Sequence, residues 1–148
     1  MRTYLELIQL KTFEERFKYC QCKQNLSATT FGGHRMLNQI LYRSPQWRSI
    51  RRKVIIRDGG CDLGMEDRPI NNRSKDSKDA FYDDGILVIH HLNPITIEQV
   101  INNDPAVYDL NNLICCSGKT HKQIHYGDGM NLMPSKPIER RPGDTKLW

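Results

Sequence analysis

Apolar residues recur at close to helical spacing at the start of the chain, at Tyr4, Leu5, Leu7, Ile8, Leu10, Phe13 and Phe17, with Glu14, Glu15 and Arg16 between them. That period predicts one amphipathic helix from Tyr4 to Phe17. The stretch 25–33 is rich in Ser, Thr and Gly and reads as a loop, after which Met36, Leu37, Ile40 and Leu41 mark a second helix at i, i+1, i+4 and i+5. Ser44 followed by Pro45 is an N-cap with proline in the first helical position. A third helix therefore starts there and runs to about Arg57, where Gly59 and Gly60 end it.

The pattern changes in the second half. From Glu66 to Asp84 charges of both signs alternate with few aliphatic residues, which predicts a mobile surface excursion at 66–84. The β-branched run Gly85 to His91 predicts a strand, Ile95, Ile97 and Val100 after Pro94 a short helix or turn, and Leu113 to Cys116 a second strand. Ser117 then caps a helix carrying His121, Ile124 and His125. Pro134, Pro137 and Pro142 mark an extended tail over 133–148. The expected fold class is α+β in one globular unit, with a helical arm over 1–58, a core over 59–132 and the tail.

Composition narrows the class of molecule. Hydrophobic residues make up 38% and charged ones 26%, too apolar for a disordered chain and too polar for a membrane protein. The longest aliphatic run, Ile86, Leu87, Val88 and Ile89, falls far short of the roughly 20 residues that cross a bilayer. The first residues lack a small-residue cleavage site, so the expected location is the cytoplasm. The 22 Lys and Arg against 17 Asp and Glu leave a net charge of +5, which favours a polyanionic partner. Six basic residues, Arg43, Arg48, Arg51, Arg52, Lys53 and Arg57, concentrate on the third helix and its approach, with no acidic residue among them. Such a segment suits phosphates, with an affinity that falls with salt and carries little sequence information. Trp47 either packs inward from it or stacks on nucleic acid. The 5 cysteines include no C-x-x-C pair, which argues against a disulfide framework and a zinc ribbon.

Candidate chemistry sits in the histidines. Four of the 5 fall between His90 and His125. His121 and His125 are one helical turn apart, so both imidazoles share a face and can bind one cation. Alone, such a pair is more often a solvated helix face; with a His pair upstream it points to a metal. Neighbours on a strand point to opposite sides, so His90 and His91 do not bind the same ion. One of them supplies a third nitrogen and the other is left to move a proton. His34, in a loop after Gly32 and Gly33, reads as structural or surface. Cys115 and Cys116 read as small buried apolar residues.

The segment from His90 to Asp128, reading HHLNPIT and then YDLNNLICCSGKTHKQIHYGD, resembles the HNH endonuclease motif and its ββα-metal fold, including the form found in nuclease colicins. Asn112 precedes His121 by nine residues and His125 by thirteen, the family's spacing of asparagine and last two histidines. Upstream, LYRSPQWRSIRRKVIIRDGGCDLG is similar to small phage-encoded HNH proteins. The resemblance implies a ββα-metal core preceded by two or three supporting helices. It implies His90, His121 and His125 as ligands of one divalent cation, His91 as the general base that activates water, and Asn112 as a brace that helps orient His91. It also implies double-stranded DNA as substrate, products with a 5′ phosphate and a 3′ hydroxyl, and phage packaging proteins as possible partners in a host cytoplasm.

One departure stands out. Many HNH proteins carry two C-x-x-C pairs around a structural zinc, and the corresponding positions here read Cys61 with Gly64 and Ser117 with Thr120. One remaining thiol does not hold that ion, so no structural zinc is expected. The cation is expected to be Mg²⁺, Mn²⁺, Zn²⁺ or Ni²⁺, with three neutral imidazoles favouring Zn²⁺ or Ni²⁺ over Mg²⁺ by raw affinity. One of Arg51, Arg52 and Arg57 is a candidate for the scissile phosphate, a choice left open. Two competing readings are a non-catalytic DNA-binding or packaging accessory that keeps the fold, and an interaction module whose histidines hold a structural ion together with Cys115 or Cys116.

Overall fold

Local capping signals set most of the helix boundaries. In the computed structural model, which describes residues 1–22, 35–65, 68–70 and 87–132, the expected first helix is two: α1 at Tyr4–Leu7 and α2 at Phe13–Cys20. Thr12 and Glu15 form a reciprocal capping box, each side chain taking the other's backbone N–H, and this starts a new helix where the apolar period alone continued the old one. Helix α3 spans Arg35–Arg43 and α4 spans Pro45–Arg57, with Ser44 accepting from the Trp47 amide at 3.1 Å. Among the described residues four helices therefore precede the strands, against two or three expected. Gly59 and Gly60 follow α4 with φ of 62° and 68°, left-handed values that a side chain would make costly.

Two small antiparallel sheets follow, giving a mixed α+β architecture. Cys61–Asp62 (β1) pairs with Arg68–Pro69 (β2), so part of the stretch read as an excursion at 66–84 is a strand. Its remainder past residue 70, Gly85 and Ile86, the loop 25–33, His34 and the tail 133–148 lie outside the described residues. Leu87–His91 (β3) pairs with Leu113–Ser117 (β4), Ile97–Ile101 forms α5 between them, and Gly118–Tyr126 forms α6 behind the Ser117 N-cap. Among the described residues no helix is long and apolar enough to cross a membrane.

The β3–β4 ribbon separates two apolar clusters. On one side Ile114 packs with Leu7, Phe13, Phe17, Leu63 and Ile124; on the other Leu87, Ile89, Leu113 and Cys115 pack with Leu41, Trp47, Val54 and Val107. The alternation of β4, which is buried along its whole length, divides its side chains between the two.

Two carboxylates tie the ribbon to its neighbours. Asp58, just past α4, accepts from the Cys115 amide at 2.8 Å and is bridged by Arg57 at 2.6 Å. The Arg57 guanidinium continues to the carbonyls of Leu110 and Leu113, both at 2.6 Å, and lies over the Tyr4 ring at 3.6 Å. Asp62 is almost wholly buried and accepts from the Thr120 hydroxyl at 2.6 Å, the Ser117 amide at 3.0 Å and the Gly64 amide at 3.1 Å. Burial pushes its carboxyl above the usual carboxylate range, and these hydrogen bonds pull the other way. Asp62 thus joins Gly64, just after β1, to Ser117 and Thr120 at the start of α6. Gly64 completes the contact, since a Cβ there would lie 2.7 Å from Thr120 Cγ2. Asp62→Ala leaves buried donors on Gly64, Ser117 and Thr120 unpaired, and the expected loss is about 2–4 kcal/mol in chemical denaturation.

Candidate metal centre and its neighbouring histidine

Strand alternation sends the two adjacent histidines apart. In the β3–β4 register His90 stands opposite Ile114 and His91 opposite Leu113, so each shares a face with one of the two clusters. His90 meets α6, where its ring lies 5.3 Å from that of His121 and 5.2 Å from that of His125. The two α6 imidazoles, one turn apart, are 4.6 Å from each other.

One ring nitrogen from each of the three lies within 4.8 Å of the others, a cluster that can hold a metal ion. Ligand nitrogens about 2.0–2.1 Å from a tetrahedral ion are about 3.4 Å apart, so modest ring rotations close the set. His90 is 2% exposed and its Nε2 has no hydrogen-bond partner. A buried polar atom left so is costly, and a cation between the three rings would satisfy it. Burial lowers the basicity of all three: His90 falls well below the ordinary histidine value, helped by repulsion from His121 and His125, His121 falls to about 4, and His125 is lowered too. Neutral imidazoles present lone pairs, the form a metal needs. The donor set fits a divalent cation of the Zn²⁺, Ni²⁺ or Mn²⁺ kind.

His91 belongs to different surroundings. Its ring stacks on Trp47 with centroids 5.5 Å apart and planes at 23°, and its Nε2 sits 3.0 Å from the Val107 carbonyl. A carbonyl only accepts, so Nε2 carries the proton and Nδ1 keeps the lone pair. Burial lowers His91 to about 4. It is not part of the three-nitrogen cluster.

Asn112 clamps the turn that leaves His91. Its Oδ1 accepts from the Asn93 amide and from Asn93 Nδ2, both at 2.8 Å, its Nδ2 donates to the Asn93 carbonyl at 3.3 Å, and its carbonyl accepts from the Leu92 amide at 2.8 Å. The His91 ring itself is held by Val107 and Trp47. Arg2 joins the same turn: its amide donates to Asn93 Oδ1 at 3.0 Å and its guanidinium to the Leu92 carbonyl at 2.9 Å. Sequence reasoning missed Val107 and Arg2, whose contacts leave no motif, and left Trp47 undecided.

The basic residues divide. Arg43, Arg48, Arg52 and Lys53 are exposed, while Arg51 and Arg57 are half-buried. Arg51 donates to the Leu87 carbonyl at 3.4 Å, and Arg57 is taken up by Asp58, Leu110 and Leu113. Cys115 and Cys116 are fully buried, and neither belongs to the histidine cluster. No family model, curated protein or solved structure matches this chain.

Titration with Co²⁺ is expected to saturate at one ion per chain with visible d–d absorption. His125→Ala should weaken binding by about 100-fold or more; unchanged affinity would mean that the three rings do not share an ion. EDTA is expected to leave the far-ultraviolet circular dichroism spectrum unaltered, because neither apolar cluster nor the Asp62 network depends on the cation. Unfolding on chelation would instead mark the ion as structural.

Proposed function

We propose that this protein is a metal-dependent DNA endonuclease of the HNH class, with β3, β4 and α6 as its ββα-metal unit. The observation that carries the reading is that one nitrogen each of His90, His121 and His125 lies within 4.8 Å of the others while the adjoining His91 is held apart with its Nε2 on the Val107 carbonyl. Phosphodiester hydrolysis needs two things at neutral pH: a base for the attacking water, and positive charge beside the phosphoryl and departing 3′ oxygens. A cation, which His90, His121 and His125 would hold, would supply the second.

His91 supplies the first. Its Nδ1 accepts the water's proton, and the Val107 carbonyl, already bonded to Nε2–H, stabilises the imidazolium that forms. Water then attacks phosphorus as its proton passes to His91, and the bond to the 3′ oxygen breaks. That oxygen takes a proton from solvent water to become the 3′ hydroxyl, the phosphate stays on the 5′ side, and His91 returns its proton to solvent. Asn112 keeps the turn after His91 fixed by closing on Asn93 and Leu92. Arg43, Arg48, Arg52 and Lys53, exposed beside this unit, supply non-specific contacts to double-stranded DNA.

Supercoiled plasmid incubated with the protein is expected to be nicked in the presence of at least one of Mg²⁺, Mn²⁺, Zn²⁺ and Ni²⁺. His91→Ala should lower the rate by about 10²–10⁴-fold while Co²⁺ binding stays as in the wild type. Failure to nick with any of the four ions would favour a DNA-binding accessory that keeps the site without the chemistry. Equal loss of metal in His91→Ala and His125→Ala would overturn the division of roles.

A further inference from the structure

We infer that Trp47 is a positioning residue for His91, its indole face holding the imidazole so that Nε2–H stays on the Val107 carbonyl and Nδ1 stays free to accept a proton. The inference rests on the reading of His91 as the base. A histidine at the end of a strand has its backbone fixed by the ladder but its ring free to turn about two side-chain bonds. One hydrogen bond removes only part of that freedom, because the ring still pivots about the Nε2 to oxygen axis. A stacked plane removes the rest.

Trp47 is built to provide such a plane. It is 3% exposed, its amide is fixed by the Ser44 cap, and the Tyr42 ring meets it edge-on at 5.1 Å. The helix that carries it is tied to the ribbon at both strands, through Arg51 to the Leu87 carbonyl of β3 and through Arg57 to the Leu113 carbonyl of β4. The indole therefore belongs to the same rigid frame as the strand that presents His91. Helix α4 also carries Arg48, Arg52 and Lys53 on its exposed side, so the element that meets phosphates is the element that aligns the base.

A role in packing alone predicts that substitutions act through lost volume; a role in positioning predicts that they act through loss of the ring face. Trp47→Phe and Trp47→Leu separate these, since both remove volume and only phenylalanine keeps a face. Trp47→Met replaces the leucine variant should that one not fold. Two readouts are taken: plasmid nicking, split into kcat and KM, and the His91 tautomer from long-range ¹H–¹⁵N imidazole spectra without metal. The aliphatic variant is expected to lose about 10- to 100-fold in kcat, with KM for DNA within about twofold of wild type, and to show a mixture of His91 tautomers. Trp47→Phe is expected to keep the Nε2–H form and most of kcat. A pure Nε2–H tautomer in the aliphatic variant, or equal kcat losses in both variants, overturns the inference. If the wild type does not nick DNA, the nuclease reading fails by itself, and the tautomer comparison still decides whether Trp47 sets the ring.

Discussion

The constraint on which the rest depends is the two-residue period of a strand buried on both faces. Because β3 and β4 run between two apolar clusters, neighbouring side chains enter different environments with no intervening chain. His90 is delivered to the imidazoles of α6 and His91 to the indole of α4, although their α-carbons are adjacent. A slip of one residue in the β3–β4 register would exchange the two, burying His91 among the other rings and stacking His90 on Trp47. The register is secured by the apolar side chains that share those faces, Ile89 and Cys115 on one and Ile114 on the other.

Holding a two-stranded ribbon in place requires more than its own ladder, since such a unit is marginal alone. Here the extra ties are ionic and polar. Asp58 and Arg57 fasten α4 to β4, and Asp62 fastens the β1 hairpin to the start of α6, reaching the Thr120 hydroxyl and the Ser117 amide across sequence separations of 58 and 55 residues. A buried carboxylate saturated with donors makes a directional joint, at the cost of desolvating the group.

How much of this was legible in the residues depends on sequence distance. Ser44 with Pro45, Ser117, Gly59 with Gly60, and the one-turn spacing of His121 and His125 act within a few positions, and each gave an element or a shared face correctly. The split between α1 and α2 was legible too, in the Thr12 to Glu15 box, but the continuous apolar period masked it. Pleating is local, so the adjacency of His90 and His91 in a strand already sets them on opposite faces. Which surfaces those faces would meet was not local: Trp47, Val107, Arg2 and Asp62 reach their partners from other elements, and no short pattern encodes those meetings.

The fate of Arg57 bears on how charge along α4 should be counted. Its guanidinium fills a fork of carbonyl and carboxylate oxygens and covers a tyrosine, so its positive charge is neutralised within the protein. A lysine there would keep the formal charge yet lack the planar, many-toothed geometry that these acceptors require, whereas the same exchange at outward-facing Arg52 alters little. Two arginines five positions apart on one helix are therefore different kinds of residue, one a rivet and the other a source of long-range field.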